Sequence, residues 1–138
     1  MIVLDTNVLS ELMRPEPAAP VMRWMSDQLL AALYVTTLSY AEILLGIGLM
    51  PEGRRQHLAE QAATMFREDF AGRVLGFDIA AAPTYAAIAG QRRRAGQPLA
   101  AIDGMIAAIA HAHGAAIATR DSDFGGCGVP LINPWDAP

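Results

Sequence analysis

MIVLDTNVLSEL, residues 1–12, sets three apolar β-formers, Ile2, Val3 and Leu4, directly before a carboxylate, Asp5. A continuous apolar run is what a strand buried on both faces of a parallel sheet requires. A strand of this kind that ends on an acid puts charge at the lip of the sheet. In open α/β sheets, ligands bind beyond the carboxyl ends of the strands. One aspartate there is an ordinary turn residue, whereas several acids gathered around it make a cation site.

The remaining 126 of the 138 residues decide between these readings. The length fits one domain, residues 1–138, with a single core. Hydrophobic residues make up 53% and charged residues 17%, against the usual ~45–50% and ~25%. The excess apolar surface is that expected of a subunit interface. No run approaches the ~18–20 apolar residues of a membrane span, and no basic-then-apolar leader precedes the first strand. The lone Cys127 excludes an internal disulfide and a multi-cysteine zinc site. A cytoplasmic protein is expected. The net charge of −4 argues only weakly against a nucleic-acid partner, because acids that hold a cation add negative charge where phosphate is handled. All ten basic residues are arginine. Without lysine there is no P-loop, and a phosphoacceptor receiver domain fits poorly.

Strand-like runs occupy Ile2–Leu4, Tyr34–Leu38, Arg73–Phe77, Ala115–Thr119 and Val129–Ile132. Helical spacing is expected over Val8–Met13, Val21–Leu33, Ala41–Leu49 and Gly53–Phe70, then from within Asp78–Thr84 to Gly96, and from Leu99 to Gly114. Alternating strands and helices predict an α/β domain with a parallel sheet covered on both faces.

Four acids fall where such a fold brings segments together: Asp5, Glu42, Asp103 and Asp121, with Asp123 two residues beyond the last. Each has an ordinary alternative. Ser39-Tyr40-Ala41-Glu42 reads as a capping box, Asp103 as an acid at a helix N-terminus, and Asp121 and Asp123 as residues of a Gly-rich turn. Together at one sheet edge they would repel and raise one another's pKa, and a divalent cation relieves that repulsion. All-oxygen ligands suit Mg²⁺ or Mn²⁺ rather than zinc, and carboxylate-held Mg²⁺ serves phosphoryl chemistry. His57, His111 and His113 are not spaced with the acids. Thr6 and Thr119 stand beside acids and can orient them, and Glu11 lies one or two helix turns beyond Asp5.

With these segments in hand, the chain resembles a PIN-domain ribonuclease toxin of the VapC family, FitB-like branch. The resemblance rests on MIVLDTNVLSEL, TTLSYAEILLGIGL (Thr36–Leu49), RRAGQPLAAIDGMIAAIA (Arg93–Ala110) and ATRDSDFGGCGVPLINPW (Ala118–Trp135). It implies a PIN-like three-layer α/β/α fold with a central parallel sheet of four to five strands. It also implies a Mg²⁺- or Mn²⁺-dependent endoribonuclease, a cognate antitoxin whose C-terminal segment covers the active site, and a homodimer. Carried over by position, Asp5, Glu42, Asp103 and Asp121 match the family's acidic quartet. The last motif is shorter than the family pattern, which leaves Asp123 as an alternative to Asp121; the latter is preferred because it directly follows Thr119-Arg120. Gly104 stands where relatives usually carry alanine.

Arg92-Arg93-Arg94 reads either as a solvated helix end or as a phosphate track for RNA. Arg120 either contacts substrate or neutralises the acids. Met13, Met22, Trp24 and Met25 are either core or a surface for an antitoxin segment. The leading expectation is a toxin endoribonuclease of a type II toxin–antitoxin pair. The alternatives are a PIN-domain nuclease in RNA or DNA processing and a catalytically silent interaction module.

Overall fold

The apolar run of residues 2–4 is the middle strand of the sheet. In the computed structural model, which describes residues Met1–Pro138, strands β1 (Ile2–Leu4), β2 (Leu33–Thr36), β3 (Val74–Leu75), β4 (Ala116–Ala118) and β5 (Leu131–Ile132) lie in the order β3-β2-β1-β4-β5. Every pairing is parallel, and Ile2 is in register with Leu33 on one side and Ala116 on the other. Strand side chains alternate between two cores, as the pleat demands. Val3 and Ile117 face one core, while Leu4, Leu33, Val35 and Ala118 face the other.

Six helices cover the sheet: α1 (Thr6–Leu12), α2 (Ala19–Ser26), α3 (Thr37–Gly48), α4 (Glu52–Thr64), α5 (Ala81–Arg94) and α6 (Ala101–Ala112). Ile106 and Ile109 of α6 and Ile88 of α5 fill the first core. Val8 and Leu9 of α1, Trp24 of α2 and Ile43 and Ile47 of α3 fill the second, with Phe66 from the π-helical turn Met65–Asp69 that prolongs α4. This is the expected three-layer α/β/α domain. None of its helices is long and apolar enough to cross a membrane.

The strands expected over Arg73–Phe77 and Val129–Ile132 shorten to Val74–Leu75 and Leu131–Ile132, and the helix expected over Ala41–Leu49 begins at Thr37; three further boundaries move for a visible reason. The helix expected over Val21–Leu33 stops at Ser26, and a short 3₁₀ turn, Leu30–Ala32, delivers Leu33 into β2. Leu33 is 1% exposed and pairs with Ile2, so strand pairing overrides its helix propensity. Arg73 holds this junction, donating from Nη1 to the carbonyls of Leu30 and Leu33 and from Nη2 to that of Asp69, each at 2.6 Å. The second strand ends at Thr36 rather than Leu38, because Thr36 caps α3 by accepting from the Ser39 amide. The first helix starts at Thr6, capped by Asp5, rather than at Val8. Of the Met/Trp set, Trp24 is buried and Met13 and Met25 pack against the core, while Met22 is exposed. The core reading therefore holds for three of the four.

Gly104 marks the contact of α5 with α6. A Cβ built there would lie 2.9 Å from Tyr85 Cε2, and the Tyr85 ring is braced edge-on by Phe77, with centroids 5.9 Å apart. Alanine would gain ~1 kcal/mol of helix propensity, but pushing a braced ring aside costs ~1–3 kcal/mol. Gly104→Ala is therefore expected to lower unfolding free energy by about 1 kcal/mol in urea titration. A stabilised variant would show that the ring yields freely.

Candidate active site

The chain order turns back between β1 and β4: β2 and β3 lie on one side of β1, and β4 and β5 on the other. The crevice beyond these strand ends is where an open α/β sheet binds ligands. The buried polar and charged residues of the chain are Asp5, Glu11, Thr36, Ser39 and Thr119, and all five lie at this end. Burying polar groups costs unless they are paired, and their pairing builds the site.

Asp5 is 4% exposed. Its Oδ1 accepts from the Thr6 amide at 2.8 Å and its Oδ2 from the Thr119 hydroxyl at 2.8 Å. The Thr119 oxygen in turn accepts from Asn7 Nδ2 and from the Asp121 amide, both at 3.0 Å. One buried threonine thus ties the end of β1 to the loop after β4. Across the crevice, the Thr6 hydroxyl donates to Glu42 Oε1 at 2.6 Å and lies 2.9 Å from the Ser39 hydroxyl. Glu42 is therefore not the closing member of a Ser39 capping box. Thr36 is the cap, which places Glu42 in the second turn of α3, free to face the crevice. Asp103 lies in the first turn of α6.

Asp5, Glu42, Asp103 and Asp121 line one open cavity of about 520 Å³ with no hydrophobic residue in its wall, and Arg14 and Arg120 stand at its edge. Neither arginine forms an ion pair with any of these four acids; the ion pairs of the chain are Arg14–Glu11 and Arg55–Glu52. The carboxylates consequently feel burial and one another. Desolvation raises the Asp5 pKa above its ordinary value; hydrogen bonds from Thr119 and Thr6 oppose the rise, and Glu42 and Asp121 add to it. Asp103 is pushed up to about 6, first by burial and then by the charges of Asp5, Asp121, Glu42 and Asp123.

These donors suit a hard divalent cation in kind: every one is an oxygen, and the shared negative charge is uncompensated. They do not cage an ion by themselves, since no three His, Cys, Asp or Glu side chains close around one point.

The other candidate residues separate clearly. Thr6 and Thr119 sit inside the network as expected. Asp121 lines the cavity, and its Oδ1 accepts from the Asp123 amide at 2.9 Å. Asp123 is exposed and lines a different depression with Arg92 and Gln97. Arg92 is occupied by backbone carbonyls: Nε donates to Gln97 at 2.7 Å, and Nη1 to Asp123 at 2.9 Å and Gly125 at 2.7 Å. It fastens the loop before α6 to the turn after Asp121, and in this arrangement it is a clasp rather than a phosphate contact. Arg93 and Arg94 are exposed, away from the cavity wall. Arg120 lies over the Trp135 ring, 4.5 Å from its centroid, and reaches the cavity. The sequence gives no sign that Asn7, Ser10 and Arg14 line the site, and it shows Ser39 only as a helix cap. Asn7 was legible as the third residue of Asp5-Thr6-Asn7, but nothing in the sequence indicated its bond to Thr119, 112 positions away.

Comparison with known proteins gives concordant matches. Residues 2–126 match the model of the PIN domain family. The plasmid stability protein StbB of Pseudomonas syringae pv. tomato is 45% identical, covering 99% of this chain and 100% of that protein. The VapC ribonuclease Y4jK of Sinorhizobium fredii is 41% identical, covering 99% of each. Toxin FitB of Neisseria gonorrhoeae is 39% identical, covering 98% of this chain and 99% of that protein. Among solved structures, that of FitAB bound to an IR36 DNA fragment contains a chain with a TM-score of 0.90 and 38% identity, covering 100% of this chain and 98% of that one.

Proposed function

The chain belongs to the PIN domain family, VapC and FitB type, and from that premise we propose that it is a divalent-metal-dependent endoribonuclease, the toxin of a toxin–antitoxin pair. The observation that carries the chemistry is the convergence of Asp5, Glu42, Asp103 and Asp121 on one polar cavity with no arginine paired to them. Asp5, with Asp103, Glu42 and Asp121 around it, would hold Mg²⁺ or Mn²⁺. Bound there, such an ion lowers the pKa of a water and stabilises charge on a phosphodiester. The chain's own contribution is positional. Thr119 and the Thr6 amide fix both oxygens of Asp5, and the Thr6 hydroxyl orients Glu42. Arg120, stacked on Trp135, offers a guanidinium to an RNA phosphate.

The partner follows from the relatives. FitAB is a complex, and a toxin of this type requires an antitoxin to hold it silent, so this chain is read as binding one whose terminal segment lies across the cavity. Leu29, Leu45, Leu49 and Ile79 are exposed apolar side chains open to such partner contacts. Acting on RNA, the protein is read as working in the cytoplasm.

Purified protein with Mg²⁺ or Mn²⁺ is expected to cut single-stranded RNA, and excess chelator is expected to reduce cutting at least ~100-fold. Cleavage unaffected by chelator would sink the metal mechanism. Absence of cleavage with any divalent ion would favour a silent interaction module instead.

A further inference from the structure

We propose that Arg14, held in place by Glu11, is a phosphate-contacting residue of this site; the proposal rests on the nuclease reading above. Arg14 directly follows the C-cap of α1, and its amide donates to the Glu11 carbonyl at 3.1 Å. Glu11 is 5% exposed, and the only hydrogen bonds its carboxylate receives come from Arg14 Nη1, at 3.4 and 3.3 Å. The arginine side chain itself is 67% exposed. One nitrogen at long range occupies both carboxylate oxygens, which leaves Nη2 and Nε without protein partners. A guanidinium carries five N–H donors in a fork that fits phosphate oxygens. Most of this fork is free and stands at the edge of the acid cavity.

The pairing also explains a charge problem. A mobile arginine beside four carboxylates would fold onto them, neutralise them and compete with a cation. Arg14 forms no ion pair with Asp5, Glu42, Asp103 or Asp121. A buried carboxylate in the last turn of α1, Glu11, holds it off, because leaving that carboxylate unpaired would be costly. The arginine side of the pair is 67% exposed and screened by solvent, so the attraction itself adds less stability than in a fully buried pair, and orientation is the larger effect. Arg14 also lines the neighbouring groove walled by Met13, Ile43 and Ile47. An RNA strand leaving the acids on that side passes the guanidinium.

RNA affinity is measured by fluorescence anisotropy with a short single-stranded RNA, in an Asp5→Asn background that does not cut. Arg14→Gln is expected to weaken binding roughly tenfold. It is also expected to reduce the slope of log K against log salt by about 0.7, one phosphate contact on a single strand. Glu11→Gln, in otherwise wild-type protein, is expected to weaken Mn²⁺ binding, because the freed Arg14 now competes for the acids; Arg14→Gln is expected not to. If Arg14→Gln destabilises the fold by stranding Glu11, the Glu11→Gln/Arg14→Gln double variant removes both charges and should show the same RNA loss. An unchanged affinity and salt slope in a folded Arg14 variant overturns the proposal. Wild-type cleavage assays separate the levels. A wild type that cuts RNA, with Arg14→Gln retaining its KM, sinks the Arg14 role alone; a wild type that neither cuts nor binds RNA sinks the nuclease reading as well.

Discussion

Asp5→Asn is expected to reduce metal-dependent RNA cleavage by more than ~100-fold, a larger loss than residues that merely support a metal ligand produce, while leaving a folded protein. Of the four candidate ligands Asp5, Glu42, Asp103 and Asp121, Asp5 is the most buried and the one whose two oxygens are both fixed, by the Thr6 amide and the Thr119 hydroxyl. The amide cannot copy that pattern. If its oxygen faces the Thr6 amide, its NH₂ faces Thr119 Oγ1, which already accepts from Asn7 and the Asp121 amide. If the amide is flipped, two N–H donors oppose each other at Thr6. One hydrogen bond is lost either way, a cost of ~1–3 kcal/mol in a buried site. Against this, removing a charge relieves repulsion from Glu42 and Asp121. The two effects offset, so the melting temperature is expected to stay within a few degrees of the parent. Circular dichroism melting beside a cleavage assay reads both. An Asp5→Asn protein that still cuts RNA, or that loses cutting only because it unfolds, would refute Asp5 as the anchor of the site.

The legible and illegible parts of this site differ in sequence range. Asp5 was readable because Ile2-Val3-Leu4 is a complete local signal for a strand buried on both faces, and a strand end fixes where its next residue stands. Asp103 was readable from the apolar period of its helix. Glu42 was readable as an acid but not in its geometry. Ser39 looked like the cap because Ser-x-x-Glu is a complete local motif, yet Thr36 caps instead once β2 ends beside β1. The stop after Ser26 carries neither Gly nor Pro and depends on Leu33 reaching Ile2. Arg92 and Arg14 show the same limit from the charged side. Three consecutive arginines suggested a phosphate track, but the first is consumed by carbonyls from 31 and 33 positions away. Arg14, beside Pro15, carries no local signal of a site, and only the folded chain shows it lining the cavity.

A second large effect is expected from pH. In chelator, the wild type should lose stability relative to Asp103→Asn as pH rises from about 4 to about 6, and the difference should then level off. The Asp103 pKa is raised from 3.8 to about 6 by burial and by Asp5, Asp121, Glu42 and Asp123. Below 3.8 the carboxyl is protonated whether the chain is folded or not, and no charge is confined in the crevice. Between the two values the folded chain keeps a proton that the unfolded chain has released. Stability falls with rising pH wherever the native state binds more protons, so the loss is complete once pH passes the folded value. Asp5 contributes with the same sign in both proteins, so the comparison isolates Asp103 together with its coupling to the neighbouring acids. A difference in melting temperature that is flat over this range, or that favours the wild type, would contradict the assignment of Asp103 to a repelling cluster. A divalent cation and the proton compete for the same carboxylates, so saturating Mn²⁺ above pH 6 is expected to reverse the order of the two proteins. The wild type gains the linkage term RT ln(1 + [L]/Kd), which the asparagine variant largely forgoes. The residue that weakens the metal-free fold at neutral pH is then the one through which the cation strengthens it.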